Sequence, residues 1–87
     1  MAERKVTVES EVGLHARPAA TFVQTATRAP VDVTVRKVGG DGRVASARSI
    51  LSVLALDVRY GDTIVISAEG DGAEAVLDQL VEIVSVP

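Results

Sequence analysis

The spacing of apolar residues changes once near the start of this chain, and the change fixes what its first third can fold into. Lys5-Val6-Thr7-Val8-Glu9 alternates polar and apolar residues, the period of a half-buried strand over residues 5–9 with Val6 and Val8 inward. Further on, Ala19, Phe22, Val23 and Ala26 fall at i, i+3, i+4 and i+7, one face of a helix over residues 16–28 that Pro30 closes. Between the two patterns stands Gly13-Leu14-His15-Ala16-Arg17-Pro18-Ala19-Ala20. Gly13 permits a tight turn. Pro18 belongs in a first helical turn, where its missing N–H would have no partner anyway. His15, the only histidine in the chain, is therefore expected at or next to the N-cap. There it lies beside free backbone N–H groups and the positive end of a helix dipole, a place that stabilises an anion. Arg17 adds a permanent cation able to hold phosphate in a fork. The stretch offers a nucleophilic imidazole next to a phosphate cradle.

A lone histidine in a small protein is usually a surface or capping residue without chemistry. Here the neighbours weigh against that reading, because Gly13, Arg17 and Pro18 each have a physical role around the ring and no apolar neighbour hides it. With no second histidine and no cysteine to complete a coordination shell, no metal site is expected. A hydrolytic triad is disfavoured, although Ser or Asp partners distant in the sequence stay open.

Eighty-seven residues make one small domain, 1–87, near the lower size at which a chain folds by burying a core. The chain has no cysteine, so no disulfide supports it and nothing points to an oxidising compartment. Hydrophobic residues are 47%, but only Phe22 and Tyr60 are aromatic, so the core must be Val, Ile, Leu and Ala. Met1-Ala2-Glu3-Arg4-Lys5 lacks the apolar run of a signal peptide, and no segment approaches the ~20 apolar residues of a membrane span. A cytoplasmic protein is expected, with no membrane partner. The net charge of −3 and the absence of a basic stripe with aromatics argue against nucleic acid.

Past the first helix, Val31-Asp32-Val33-Thr34-Val35-Arg36 alternates as a second strand. Gly39-Gly40-Asp41-Gly42 turns the chain, and Arg43-Val44-Ala45 returns as a short third strand. Ser49 is a good N-cap for a helix over about 50–56. On that helix Val53 and Leu56 can face a core, while Ile50, Leu51 and Leu54 form a second stripe. A chain this small has little to cover both, so the second stripe is expected to be an exposed protein-docking patch. Arg59-Tyr60-Gly61-Asp62 reads as a turn and Thr63–Ala68 as a fourth strand, with Ile64 and Ile66 on one face. Asp71 and Glu74 suggest a helix start related to a capping box. Ala73, Val76, Leu77, Leu80, Val81 and Val84 then make an apolar stripe, with Asp78 and Glu82 outside it as solvated charges. The order is βαββαβα, an α+β fold with helices on one face of an antiparallel sheet.

Gly13-Leu14-His15-Ala16-Arg17-Pro18-Ala19 resembles the active-site signature of HPr, the family of histidine-containing phosphocarriers of the bacterial phosphoenolpyruvate:sugar phosphotransferase system. Arg48-Ser49-Ile50-Leu51-Ser52-Val53-Leu54-Ala55-Leu56 resembles the family's second signature, and the likeness extends over nearly the whole chain, with a few extra residues in the Gly39–Gly42 turn. The resemblance implies an open-faced β-sandwich with a four-stranded sheet ordered 1-4-2-3 and three helices on one face. It implies a phosphoryl carrier rather than an enzyme, a monomer without cofactor. His15 would accept a phosphoryl group from phosphorylated enzyme I and pass it to an enzyme IIA domain, and Arg17 would stabilise the group. The family uses the Nδ1 nitrogen, which the residues themselves do not single out.

The resemblance makes Ser49 a candidate for regulatory phosphorylation by a serine kinase, against the plain alternative of a cap; Ser46 matches no family motif. Leu14, Ile50, Leu51 and Leu54, rimmed by Arg17 and Arg48, are the expected partner-binding surface. The rival classes are a regulatory homologue that has lost carriage and a small enzyme using His15 as a general base. The first is disfavoured by the retained histidine, the second by the lack of convergent polar groups for a substrate pocket.

Overall fold

The computed structural model describes residues 2–40 and 42–85; the expected turn residue Asp41 lies outside the described residues. The elements run β1 (Ala2–Thr7), α1 (Ala16–Arg28), β2 (Val33–Lys37), β3 (Val44–Ser46), α2 (Ile50–Ala55), β4 (Thr63–Ala68) and α3 (Ala73–Ser85). The sheet order is β1-β4-β2-β3, antiparallel throughout. This is the expected βαββαβα open-faced sandwich.

The alternation in the strands does the sorting. In register, Val6 faces Ile64, Val35 faces Ile66 and Ala45, and Val33 faces Ala68, so one face of the sheet is apolar. On it pack Ala19, Phe22 and Ala26 of α1 and Val76, Leu77, Leu80 and Val84 of α3, all buried. Each fully buried Val, Leu, Ile or Phe contributes roughly 1.5–3 kcal/mol relative to exposure. A core built around one phenylalanine is thus held by many aliphatic contacts. Among the described residues no helix is long and apolar enough to cross a membrane.

The elements differ from expectation in four places. β1 covers Ala2–Thr7 rather than 5–9, because the whole of Thr63–Ala68 is available to pair with it, from Ala2 opposite Ala68 to Thr7 opposite Thr63. Arg4 thereby takes an inner-face position at the sheet edge, and its guanidinium reaches Asp78 at 3.1 Å and Glu74 at 3.4 Å. Asp78 is therefore not merely a solvated charge. β2 and β3 are each displaced toward the C-terminus of the expected ranges, set by Val35 opposite Ala45 and Thr34 opposite Ser46. Finally, α3 opens at Ala73, behind Gly72 with φ 89°. Asp71 stands one residue before the cap position, and Glu74 turns to Arg4 instead of closing a capping box.

Candidate functional site

The segment before His15 is fastened by backbone hydrogen bonds at both ends. Val8 donates its N–H to the Asp62 carbonyl and accepts from Gly61, and Glu9 donates to the Val84 carbonyl at the end of α3. A turn follows, closed by Gly13 N–H to the Ser10 carbonyl at 2.9 Å. Leu14 then donates to the Val58 carbonyl at 2.9 Å. Gly13, at φ 68°, lies so close to this neighbour that a Cβ would stand 2.4 Å from the Val58 oxygen. Only glycine fits there.

His15 is the N-cap of α1, extended at φ −133° and ψ 168°, and its side chain makes no capping bond. The ring is left to do something else. Ala16 takes φ 53°, a left-handed conformation that costs an alanine about 1–2 kcal/mol. The first helical bond, from Ala19 N–H to the His15 carbonyl, is stretched to 3.5 Å. The opening N–H groups of a helix have no intrahelical partner, and Pro18 adds none, so the donors beside the ring belong to Ala16 and Arg17. Arg17 is exposed on this turn and makes no ion pair among the described residues.

The imidazole, 37% exposed, has a neighbour that sequence reading missed: its Nε2 lies 3.5 Å from Oδ1 of Asp57. Asp57 follows α2 in a left-handed conformation, φ 51°, which aspartate tolerates better than most residues. Arg59 grips its carboxylate with Nη2 at 3.0 Å and Nε at 3.2 Å, and Lys37 Nζ donates to its backbone carbonyl at 3.1 Å. The hydrogen bond from Arg59 holds the Asp57 carboxyl below its usual range, assisted by the charges of Arg59, Lys37 and His15. Asp62 is also held low, first by the backbone N–H of Arg59 at 2.9 Å and then by Lys37, whose Nζ stands 3.3 Å away. A charged lattice therefore backs the loop that faces the histidine. Nothing in local spacing marks it, because its members come from β2, the end of α2 and the turn before β4.

The expected docking residues separate. Leu51 is 77% exposed, Ile50 is exposed, Leu54 is half-buried, and Val53 beneath them is fully buried. The two-stripe pattern on α2 is real. Leu14, expected on the surface, is fully buried, because its backbone pairs with Val58 and its side chain joins the core. Arg48, expected at a partner-facing rim, is committed within the chain. Its guanidinium donates to the carbonyls of Ala26, Ala29 and Val31 and pairs with Asp32 at 2.7 Å. It serves as a clamp on the open C-terminal end of α1. Val12 and Tyr60, exposed apolar residues in the loops flanking Gly13 and Arg59, were not anticipated. Ser49 is the N-cap of α2, its hydroxyl accepting the Ser52 N–H at 3.2 Å.

A nucleophilic ring this open, set at the start of a helix on a molecule that also exposes an apolar stripe on α2, suits transfer between macromolecules better than turnover of an enclosed small molecule. The fold and site define a protein-to-protein phosphoryl carrier. The family model described as the PTS HPr component phosphorylation site matches residues 2–85. The phosphocarrier protein HPr of Streptomyces coelicolor is 46% identical over 85 residues, covering 98% of this chain and 89% of that one. HPr of Haloferax volcanii is 47% identical over 85 residues, covering 98% and 94%. The crystal structure of HPr from Bacillus anthracis superposes with a TM-score of 0.89 at 38% identity, covering 97% and 96%. The chain belongs to the HPr family, the histidine-phosphorylated phosphocarriers of the phosphotransferase system.

Proposed function

We propose that His15 is the phosphoryl acceptor, that Arg17 stabilises the transferred group, and that the chain 1–87 acts as one cytoplasmic carrier domain between enzyme I and enzyme IIA. The observation that carries this reading is the His15 ring itself. It is the only imidazole in the chain, accessible, unused as a cap, and set at the N-terminal end of α1 near the Arg17 guanidinium, which makes no ion pair among the described residues. Phosphoryl transfer asks a protein mainly for positioning and charge stabilisation, which so few groups can supply. The experiment is incubation with enzyme I and phosphoenolpyruvate, followed by intact-mass measurement. One phosphoryl group is expected, labile in acid and stable in alkali as a phosphoramidate is, and absent from His15→Ala. A group retained by His15→Ala overturns the assignment.

Ser49 is the proposed target of a serine kinase. A phosphate there would sit at a helix N-cap, which favours negative charge. It would lie at the opposite end of α2 from the Asp57–His15 contact, so it would act on docking rather than on the ring. Ser49→Asp is expected to accept phosphate from enzyme I more slowly than Ser49→Ala. Equal rates would remove the switch and leave the cap.

A further inference from the structure

We propose that Asp57 is a positioning residue for phosphoryl transfer: its carboxylate, fixed by Arg59, accepts from the Nε2–H of His15 and faces the positive charge that forms on the ring. The inference rests on the reading of His15 as the acceptor. Its basis is a convergence of otherwise unrelated features on one carboxylate. Asp57 Oδ1 is 3.5 Å from Nε2. Its other oxygen is forked by Arg59 at 3.0 and 3.2 Å, and its backbone is held by Lys37. It occupies a left-handed position, φ 51°, where glycine would be free of strain. A side chain kept at a strained position and pinned in two places toward the only imidazole has a task there.

The chemistry defines that task. A neutral imidazole carries a proton on one nitrogen and a lone pair on the other, and the partner of the first decides which is which. With Nε2–H turned to Asp57, the lone pair is on Nδ1. That pair attacks phosphorus, the Nδ1–P bond forms, and the bond to the donor's leaving atom breaks, with its electron pair staying on the donor. The Nε2 proton does not move, so the ring becomes an N-phosphoryl imidazolium with its positive charge shared to the nitrogen facing Asp57. In the onward step the Nδ1–P electron pair returns to the ring, which is neutral again with the same proton in place. The carboxylate stabilises the loaded ring without bonding to phosphorus, and no separate acid or base is needed in either direction. At 3.5 Å the contact is longer than a formed hydrogen bond; contacts of this kind tighten when the reacting group arrives.

The test uses Asp57→Gly, which suits the φ of 51° and keeps the fold. Nitrogen-15 NMR of the neutral ring reads the tautomer directly. In the parent Nε2 is expected to be held as N–H and Nδ1 as the lone-pair nitrogen; in Asp57→Gly the two shifts are expected to move toward each other as both tautomers populate. The saturating rate of phosphoryl uptake from phosphorylated enzyme I is expected to fall about two- to fivefold, the size of one partly exposed charge contact, in a variant that circular dichroism shows to be folded. An unchanged nitrogen pattern overturns the proposal, whatever the rate does, because the loss would then be electrostatic or structural. A changed pattern with an unchanged rate overturns it too. The tautomer readout requires no phosphoryl transfer, so a parent that takes up no phosphoryl group would refute the reading of His15 and leave the nitrogen shifts to decide on Asp57.

Discussion

Arg17 and Arg48 are both arginines beside a helix end, and they do opposite work. Arg17, exposed on the first turn of α1, keeps its guanidinium uncommitted among the described residues, while Arg48 spends every arm on the far end of the same helix and the loop that follows it. Arg17→Ala is therefore expected to keep the parent's melting temperature and to slow phosphoryl transfer. In a closed oxyanion site the loss of one donor costs about 10²–10³-fold; in this open site a smaller loss is expected. Unchanged rates of uptake and release would remove the role. The sequence distinguished the two only in part. The Gly-Leu-His-Ala-Arg-Pro run announces Arg17, because the reasons for Gly13 and Pro18 are local. What Arg48 and Asp57 do depends on carbonyls and a ring brought to them by the tertiary fold, and no spacing encodes that.

α2 is where pattern reading succeeded and where its reach ended. Two apolar stripes on a six-residue helix implied one buried and one open face, and Val53 and Leu51 stand on opposite sides of that division. Extending the open surface to Leu14 failed, because burial there follows from backbone pairing with Val58 and not from side-chain periodicity. Leu51→Glu is expected to weaken binding to both enzyme I and enzyme IIA with little change in melting temperature, since apolar centres anchor such interfaces. Val53→Glu is expected to unfold the protein by burying an unpaired charge. Binding by calorimetry and melting by circular dichroism read the two; a Leu51→Glu that unfolds while Val53→Glu does not would reverse the faces. β1 shows the converse limit. Its first half, Ala2-Glu3-Arg4, is too polar to read as a strand and is one because β4 offers it partners.

At the scale of the molecule, the sheet and two long helices build a rigid frame, and the chemistry sits on one corner where loops from several elements meet. The charges that stiffen this corner also set its response to acid. Asp57 is held below the usual carboxylate range by Arg59, and Asp62 by the Arg59 N–H and then Lys37. Carboxyls more acidic in the folded state than in the unfolded one stabilise the fold above the ordinary value of 3.8, and that contribution is lost as the pH falls through their lower folded values. Asp62→Asn is expected to be less stable than the parent at neutral pH and to lose less stability on acidification below 3.8; parallel denaturation curves across that window would contradict it. The central claim, that His15 carries a phosphoryl group between two proteins rather than merely receiving one, is tested most directly by a single-turnover relay. The phosphorylated protein is freed of enzyme I and of phosphoenolpyruvate, mixed with an enzyme IIA domain, and both chains are weighed over time. The predicted result is loss of the group from His15 matched, mole for mole, by its appearance on enzyme IIA. Release of the group as inorganic phosphate with enzyme IIA unmodified would contradict the account.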